Sequence, residues 1–126
     1  MSTADRQARA QKGQRAERQA RWWLRLTGHR ILARNYRCKV GEVDIIARPL
    51  RPGAPLLAIE VKARATESAA REAVSHRQCQ RIARALQHWQ STAPATLRGL
   101  PVRFDLMALV PGRLPRHIRD AWRMRT

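Results

Sequence analysis

Between Thr3 and Thr27 the apolar positions Ala16, Ala20, Trp23 and Leu24 recur at helical spacing, with no Pro and with Gly13 as the only Gly. This predicts a long first helix that ends at Gly28. The pattern then changes to that of strands. Arg30 to Tyr36, Val43 to Arg48, Leu56 to Ala63 and Val102 to Val110 are runs rich in apolar and β-branched residues, bounded by turn residues. Arg51-Pro52-Gly53-Ala54-Pro55 marks a turn between the second and third runs. Helical spacing returns at Ser75-His76-Arg77-Gln78, which has the form of a capping box. It opens a helix over about 75–92 whose buried stripe is Cys79, Ile82, Ala83, Leu86 and Trp89. Residues 92–101 read as a loop, and Ile118, Ala121 and Trp122 suggest a short final helix. This order predicts an α/β fold in which a small mixed sheet is flanked by helices.

Composition adds a partner to this picture. The 126 residues are expected to form a single domain spanning 1–126, able to bury one core without disulfides or structural metal. Twenty-six Lys and Arg against nine Asp and Glu give a net charge of +17, carried mostly by Arg, whose planar fork suits phosphate. Nucleic acid is the expected polyanion, DNA before RNA. Arg6, Arg9, Lys12, Arg15, Arg18 and Arg21 recur every three residues along the first helix, where like charges repel. Its early turns are therefore expected to fray until an anion neutralises them. No apolar run approaches the ~20 residues needed to span a bilayer, and the N-terminus has no signal-peptide character. Cys38 and Cys79 lack CxxC or His spacing, so reduced thiols in a cytoplasmic protein are expected.

Against this excess of cations, carboxylates inside the two most apolar segments call for a purpose. If the second and third strands form a hairpin about Pro52, Asp44 lies opposite Glu60 and Glu42 opposite Lys62. Opposed residues of an antiparallel ladder share a face, with Cβ atoms ~4.5–5.5 Å apart. Two carboxylates that close repel unless a divalent cation such as Mg²⁺ lies between them. Lys62 shares that face and could orient an attacking water or stabilise charge on a phosphate. Val61, between them, points to the core. Ordinary ion pairs of Asp44 and Glu60 with Lys62 or an arginine are the competing reading. Glu17, at the edge of the first helix's apolar stripe, either faces the same site or forms a structural salt bridge. The Gln78 side chain either completes the helix cap or reaches the site. Trp23 and Trp89 belong to core stripes, while Trp22 and Trp122 could pack or stack on bases.

Asp44, fifteen intervening residues and then Glu60-Val61-Lys62 form a pattern that resembles the PD-(D/E)xK nuclease superfamily, and in detail the YraN family of endonuclease-like proteins. The likeness extends through Gly13-Gln14-Arg15-Ala16-Glu17, Ala33-Arg34-Asn35-Tyr36-Arg37, Gly41 to Ala47, Glu60 to Arg64, Arg103 to Leu106 and Ile118 to Trp122. It implies a restriction-endonuclease-like core, related in layout to Holliday junction resolvases. It also implies Mg²⁺, with Mn²⁺ as a substitute, held by Asp44, Glu60 and the Val61 carbonyl. Lys62 and Glu17 would then be catalytic, and Arg9, Lys12, Arg15, Arg64 and Gln78 would meet nucleic acid. Cleavage of DNA, selective for branched or junction structures, and a homodimer follow from the same analogy. Two departures stand out: Gln78 occupies a position where relatives commonly carry Lys, and Ala65 to Ala70 replaces a small Gly-containing stretch. The alternative is a non-catalytic nucleic-acid-binding protein with the same fold.

Overall fold

The computed structural model describes residues 2–124. α1 (Thr3–Leu26) is helical from its first turn. The Ser2 hydroxyl accepts the Asp5 amide at 3.1 Å, and the Asp5 carboxylate accepts the Ser2 amide at 3.4 Å. This capping box, with a carboxylate at the positive end of the helix dipole, offsets repulsion along the arginine ridge. The expected fraying is accordingly not seen. The helix stops at Thr27, after which Gly28 takes φ +87° and turns the chain into the sheet.

Strands β1 (His29–Cys38), β2 (Gly41–Pro49) and β3 (Leu56–Ala63) form an antiparallel meander. Three helices, α2 (Glu67–Glu72), α3 (His76–Thr92) and α4 (Ala95–Arg98), carry the chain across to β4 (Val102–Leu109), which lies parallel to β3. β5 (Arg116–Trp122) returns antiparallel to β4, so the five-stranded mixed sheet runs in chain order. This is the flanked mixed α/β sheet expected of a restriction-endonuclease-like core.

β3 sits at the centre and is buried on both faces over Leu56–Glu60, which explains its near-continuous apolar sequence. Leu57 and Ile59 meet Ala16, Ala20 and Leu24 of α1 on one face. Leu56 and Ala58 meet Ile82, Ala85 and Leu86 of α3 on the other. A third, smaller cluster joins Ala70 of α2 to Leu106, Ala108 and Ile118. Among the described residues no helix is long and apolar enough to cross a membrane.

The final helix expected around Ile118 is instead strand β5, and the reason is geometric. Between the pairs Phe104↔Trp122 and Leu106↔Ile118, β4 advances two residues while β5 advances four. Asp120 absorbs part of this bulge at φ +52°. The bulge breaks the two-residue alternation, leaving Ile118, Ala121 and Trp122 at a spacing that imitates a helical stripe. The predicted loop between Thr92 and Pro101 contains α4. The stretch after β3 contains α2, whose N-cap Thr66 accepts the Ala69 amide at 3.0 Å.

Candidate metal and nucleic-acid site

The β2–β3 ladder has the hairpin register expected from symmetry about Pro52, with Ile45 opposite Ile59, Ile46 opposite Ala58 and Ala47 opposite Leu57. Asp44 and Glu60 come one step beyond the last pair, where the two backbones part. The Asp44 carboxylate fills the gap, its Oδ2 accepting the Val61 amide at 2.8 Å. The expected pairing of Glu42 with Lys62 does not form, because the ladder has ended before it. Glu42 instead meets Arg37 of β1 at 3.3 Å on an exposed surface.

Asp44 and Glu60 share a hydrogen bond. Burial raises the pKa of Asp44, against the Val61 amide, the Glu60 hydrogen bond and Lys62, which favour its charged form. Burial and then the Asp44 charge push Glu60 up to about 8. Burial and the closeness of the two carboxyls therefore favour a proton held by the pair over two full charges. Lys62 Nζ lies 3.4 Å from Glu60 Oε1, with its side chain only 15% exposed. The ion pair of Glu60 with Lys62, the competing reading of the sequence, is thus present, and Asp44 lies on its other side.

α3 supplies the fourth group. Ser75 caps the helix by accepting the Gln78 main-chain amide at 3.1 Å, which leaves the Gln78 side chain free to reach the site. Its amide bonds best with the carbonyl accepting from Lys62 Nζ at 3.0 Å and the NH₂ donating to the Ala73 carbonyl at 3.3 Å. α3 is held close to β2 because Gly41 lies flat against it. A Cβ there would sit 1.9 Å from the Arg81 carbonyl oxygen.

Glu17 stands apart from this cluster. It lies half-buried on α1, bonded to Asn35 of β1 beside Arg21, and its pKa is raised first by burial and then by the Asp44 charge. Among the described residues no group of three or more His, Cys, Asp or Glu side chains is arranged to hold a metal ion. The donor set is thus two carboxyls, with the Val61 carbonyl in the adjacent strand. It suits a hard ion that keeps several waters and takes one or two carboxylates, as Mg²⁺ does, and it does not suit zinc, which is closed by His and Cys. A divalent cation fits here for a second reason: it would replace the proton that the pair must otherwise hold.

Basic side chains gather on the α1 side of the sheet, the face opposite the one that Glu60 and Lys62 share with α3. Lys12 and Arg15 of α1, Arg64 after β3, and Arg113 line a cleft of about 340 Å³ whose lining contains no carboxylate. Arg113 was missed by pattern reading because it sits in the β4–β5 turn, after Pro111-Gly112, where no periodicity marks it. Arg9 is exposed one turn earlier on α1 and does not line this cleft. A larger cleft, about 890 Å³, lies elsewhere, along α3, Leu100 and Phe104, away from the carboxyl pair. Trp122 is engaged in packing, stacked on Phe104 with ring centroids 5.7 Å apart, whereas Trp22 is exposed on α1.

Residues 16–109 match the model of the family described as "Uncharacterised protein family UPF0102". A UPF0102 protein of Bartonella bacilliformis is 44% identical over 119 residues, covering 94% of each chain. One of Maricaulis maris is 43% identical over 122 residues, covering 97% of this chain and 92% of its own. One of Rhizobium johnstonii is 42% identical over 120 residues, covering 95% of each. With a family match through the sheet and both carboxyls, and relatives alike over nearly their whole length, the chain belongs to the UPF0102 (YraN) family.

Proposed function

We propose that this protein is a Mg²⁺-dependent endonuclease that hydrolyses phosphodiester bonds in DNA, with branched or junction structures as its preferred substrates. The observation that carries the reading is the buried Asp44–Glu60 pair with Lys62 3.4 Å away, in a strongly basic chain. Asp44 and Glu60 would hold the ion, with the Val61 carbonyl as a further ligand. Bound there, the cation would supply Lewis acidity toward a phosphate oxygen and a more acidic water.

The chain's own groups do the rest. The Val61 amide fixes the Asp44 carboxylate, and burial on both faces of β3 fixes Glu60. Lys62 donates toward the reacting phosphate or its attacking water, and the Gln78 carbonyl holds the ammonium in place. Lys12, Arg15, Arg64 and Arg113 bind the flanking backbone by phosphate contacts, which position the strand without reading sequence. Glu17, on the neighbouring helix, acts through its charge near Asp44.

The alternative is a non-catalytic DNA-binding protein of the same fold, favoured by one observation: among the described residues no third acidic, His or Cys side chain joins the pair to hold a metal ion. Lys62→Ala separates the two. The nuclease reading expects cleavage to fall by about 10²-fold or more while DNA affinity changes little. Unchanged cleavage by Lys62→Ala would remove Lys62 from the chemistry. Absence of cutting by the wild type on linear, flapped and four-way-junction DNA would favour the binding protein.

A further inference from the structure

At the end of the sheet opposite the carboxyl pair, the exit of α1, the β2–β3 turn and β5 enclose a cleft of about 230 Å³. Three arginines, Arg51, Arg103 and Arg119, line it together with His29, and no Asp or Glu is among its lining residues. From Asp44 to Leu50 along β2 is ~20 Å at ~3.3 Å per residue, so this is a separate place from the site above.

Arg103 is built into the cleft wall. Its Nε and Nη2 donate to the two oxygens of Asp105 at 2.9 and 2.8 Å. Asp105 is fully buried and also accepts His117 Nε2 at 2.7 Å and the Asp120 amide at 2.9 Å. Four donors therefore lock the carboxylate, and the carboxylate locks the guanidinium, leaving Nη1 as the arm not committed to Asp105. Arg51 and Arg119 make no ion pair among the described residues. Both are exposed.

The neighbouring carbonyls, which would repel an anion, are already covered. Thr27 Oγ1 donates to the Trp23 carbonyl at 2.8 Å, and His29 Nδ1 donates to the Leu24 carbonyl at 3.1 Å. His29 then faces cations: its pKa is lowered by burial, His117 and Arg119, against the Leu24 carbonyl and Asp105. One anchored fork and two unpaired ones around a small cavity match the oxygens of a tetrahedral dianion or a phosphodiester.

We infer that this cleft, lined by Arg51, Arg103 and Arg119, is a binding site for a phosphate group, distinct from the carboxyl site and independent of whether that site holds a metal. The phosphate can come from a nucleic-acid backbone or from a free phosphate, and the two sources are separable.

The test uses the full chain labelled with ¹⁵N, titrated with inorganic phosphate at constant ionic strength while backbone amide and arginine Nε–H resonances are followed. Saturable shifts confined to Gly28, Arg51, Arg103 and Arg119 are expected, weakened at least tenfold in Arg51→Ala/Arg119→Ala. These two residues are exposed and unpaired, so the double variant keeps the wild-type amide spectrum elsewhere. A parallel titration with duplex DNA assigns the source. If the double variant loses more DNA affinity than an Arg84→Ala/Arg98→Ala control, the ligand is backbone phosphate. If DNA affinity matches the control while phosphate binding is lost, it is free phosphate. Shifts that do not saturate, or that are the same in wild type and double variant, would overturn the site.

Discussion

Asp44 Oδ2 accepts the Val61 amide at 2.8 Å across the point where β2 and β3 separate. The side chain thereby takes over a partner that the ladder no longer provides. One hydrogen bond thus marks the end of the hairpin and fixes the Asp44 carboxylate there.

The pair's repulsion has a measurable consequence. Asp44→Asn keeps an oxygen for the Val61 amide and removes a buried charge, so the variant is expected to melt at or above the wild-type temperature in EDTA. Mg²⁺ is expected to stabilise only the wild type. At 100 times its Kd an ion bound to the native state adds ~2.7 kcal/mol. Thermal unfolding with and without Mg²⁺ checks this, and an equal metal-induced shift in both proteins would place the ion elsewhere.

Asp105 predicts acid sensitivity. Although burial opposes its ionisation, hydrogen bonds from His117, Arg103 and the Asp120 amide bring it down to about 2 from the ordinary aspartate value of 3.8. A depressed carboxylate stabilises the fold above its unfolded pKa and loses that contribution as pH falls through the folded one. Unfolding free energy should therefore drop by on the order of 2 kcal/mol between about pH 4 and pH 2. Urea denaturation across that range measures it. Asp105→Ala, which strands the Arg103 and His117 donors, should cost ~3–5 kcal/mol at neutral pH, and a loss under 1 kcal/mol would contradict the assignment.

Gly41 packs against α3 with no room for a methyl group. Gly41→Ala is expected to destabilise by ~1–3 kcal/mol, the usual cost of overpacking. It should also move the Gln78 side-chain resonances, since α3 must retreat from β2. A variant as stable as wild type, with an unshifted Gln78, would show that the contact is soft.

Lys12, Arg15, Arg64 and Arg113 surround one cleft, so DNA affinity should fall steeply with salt. Each substitution to Ala should lower the log–log salt slope by about 1 and weaken all sequences alike. Arg84→Ala, on the outer side of α3, should leave the slope nearly unchanged. A flat salt response in the wild type would contradict backbone binding at this surface.

The carboxyl site was legible because β3 alternates strictly between faces and the turn at Pro52 centres the hairpin. Those two facts alone put Glu60 beside Asp44 and Lys62 on the same face. What the pattern could not show was where the ladder stops, so Glu42 was paired with Lys62 when it meets Arg37. Periodicity also misled at β5, because a bulge with Asp120 at φ +52° spaces inward residues like a helix. α2 went unread because six residues hold too little periodicity, and only its Thr66 cap marked it. Of the two roles weighed for the Gln78 side chain, it takes the second: Ser75 caps α3 through the Gln78 main-chain amide alone, and the side chain reaches Lys62.

The central claim is tested most directly by cleavage of linear, single-stranded, flapped and four-way-junction DNA in Mg²⁺, Mn²⁺ or EDTA, with wild type and Asp44→Asn purified identically. The account predicts metal-dependent cutting by the wild type, strongest on a branched substrate, abolished by EDTA and by Asp44→Asn with DNA binding retained. Equal cutting by both proteins, or cutting that persists in EDTA, would contradict a metal-dependent nuclease built on Asp44 and Glu60.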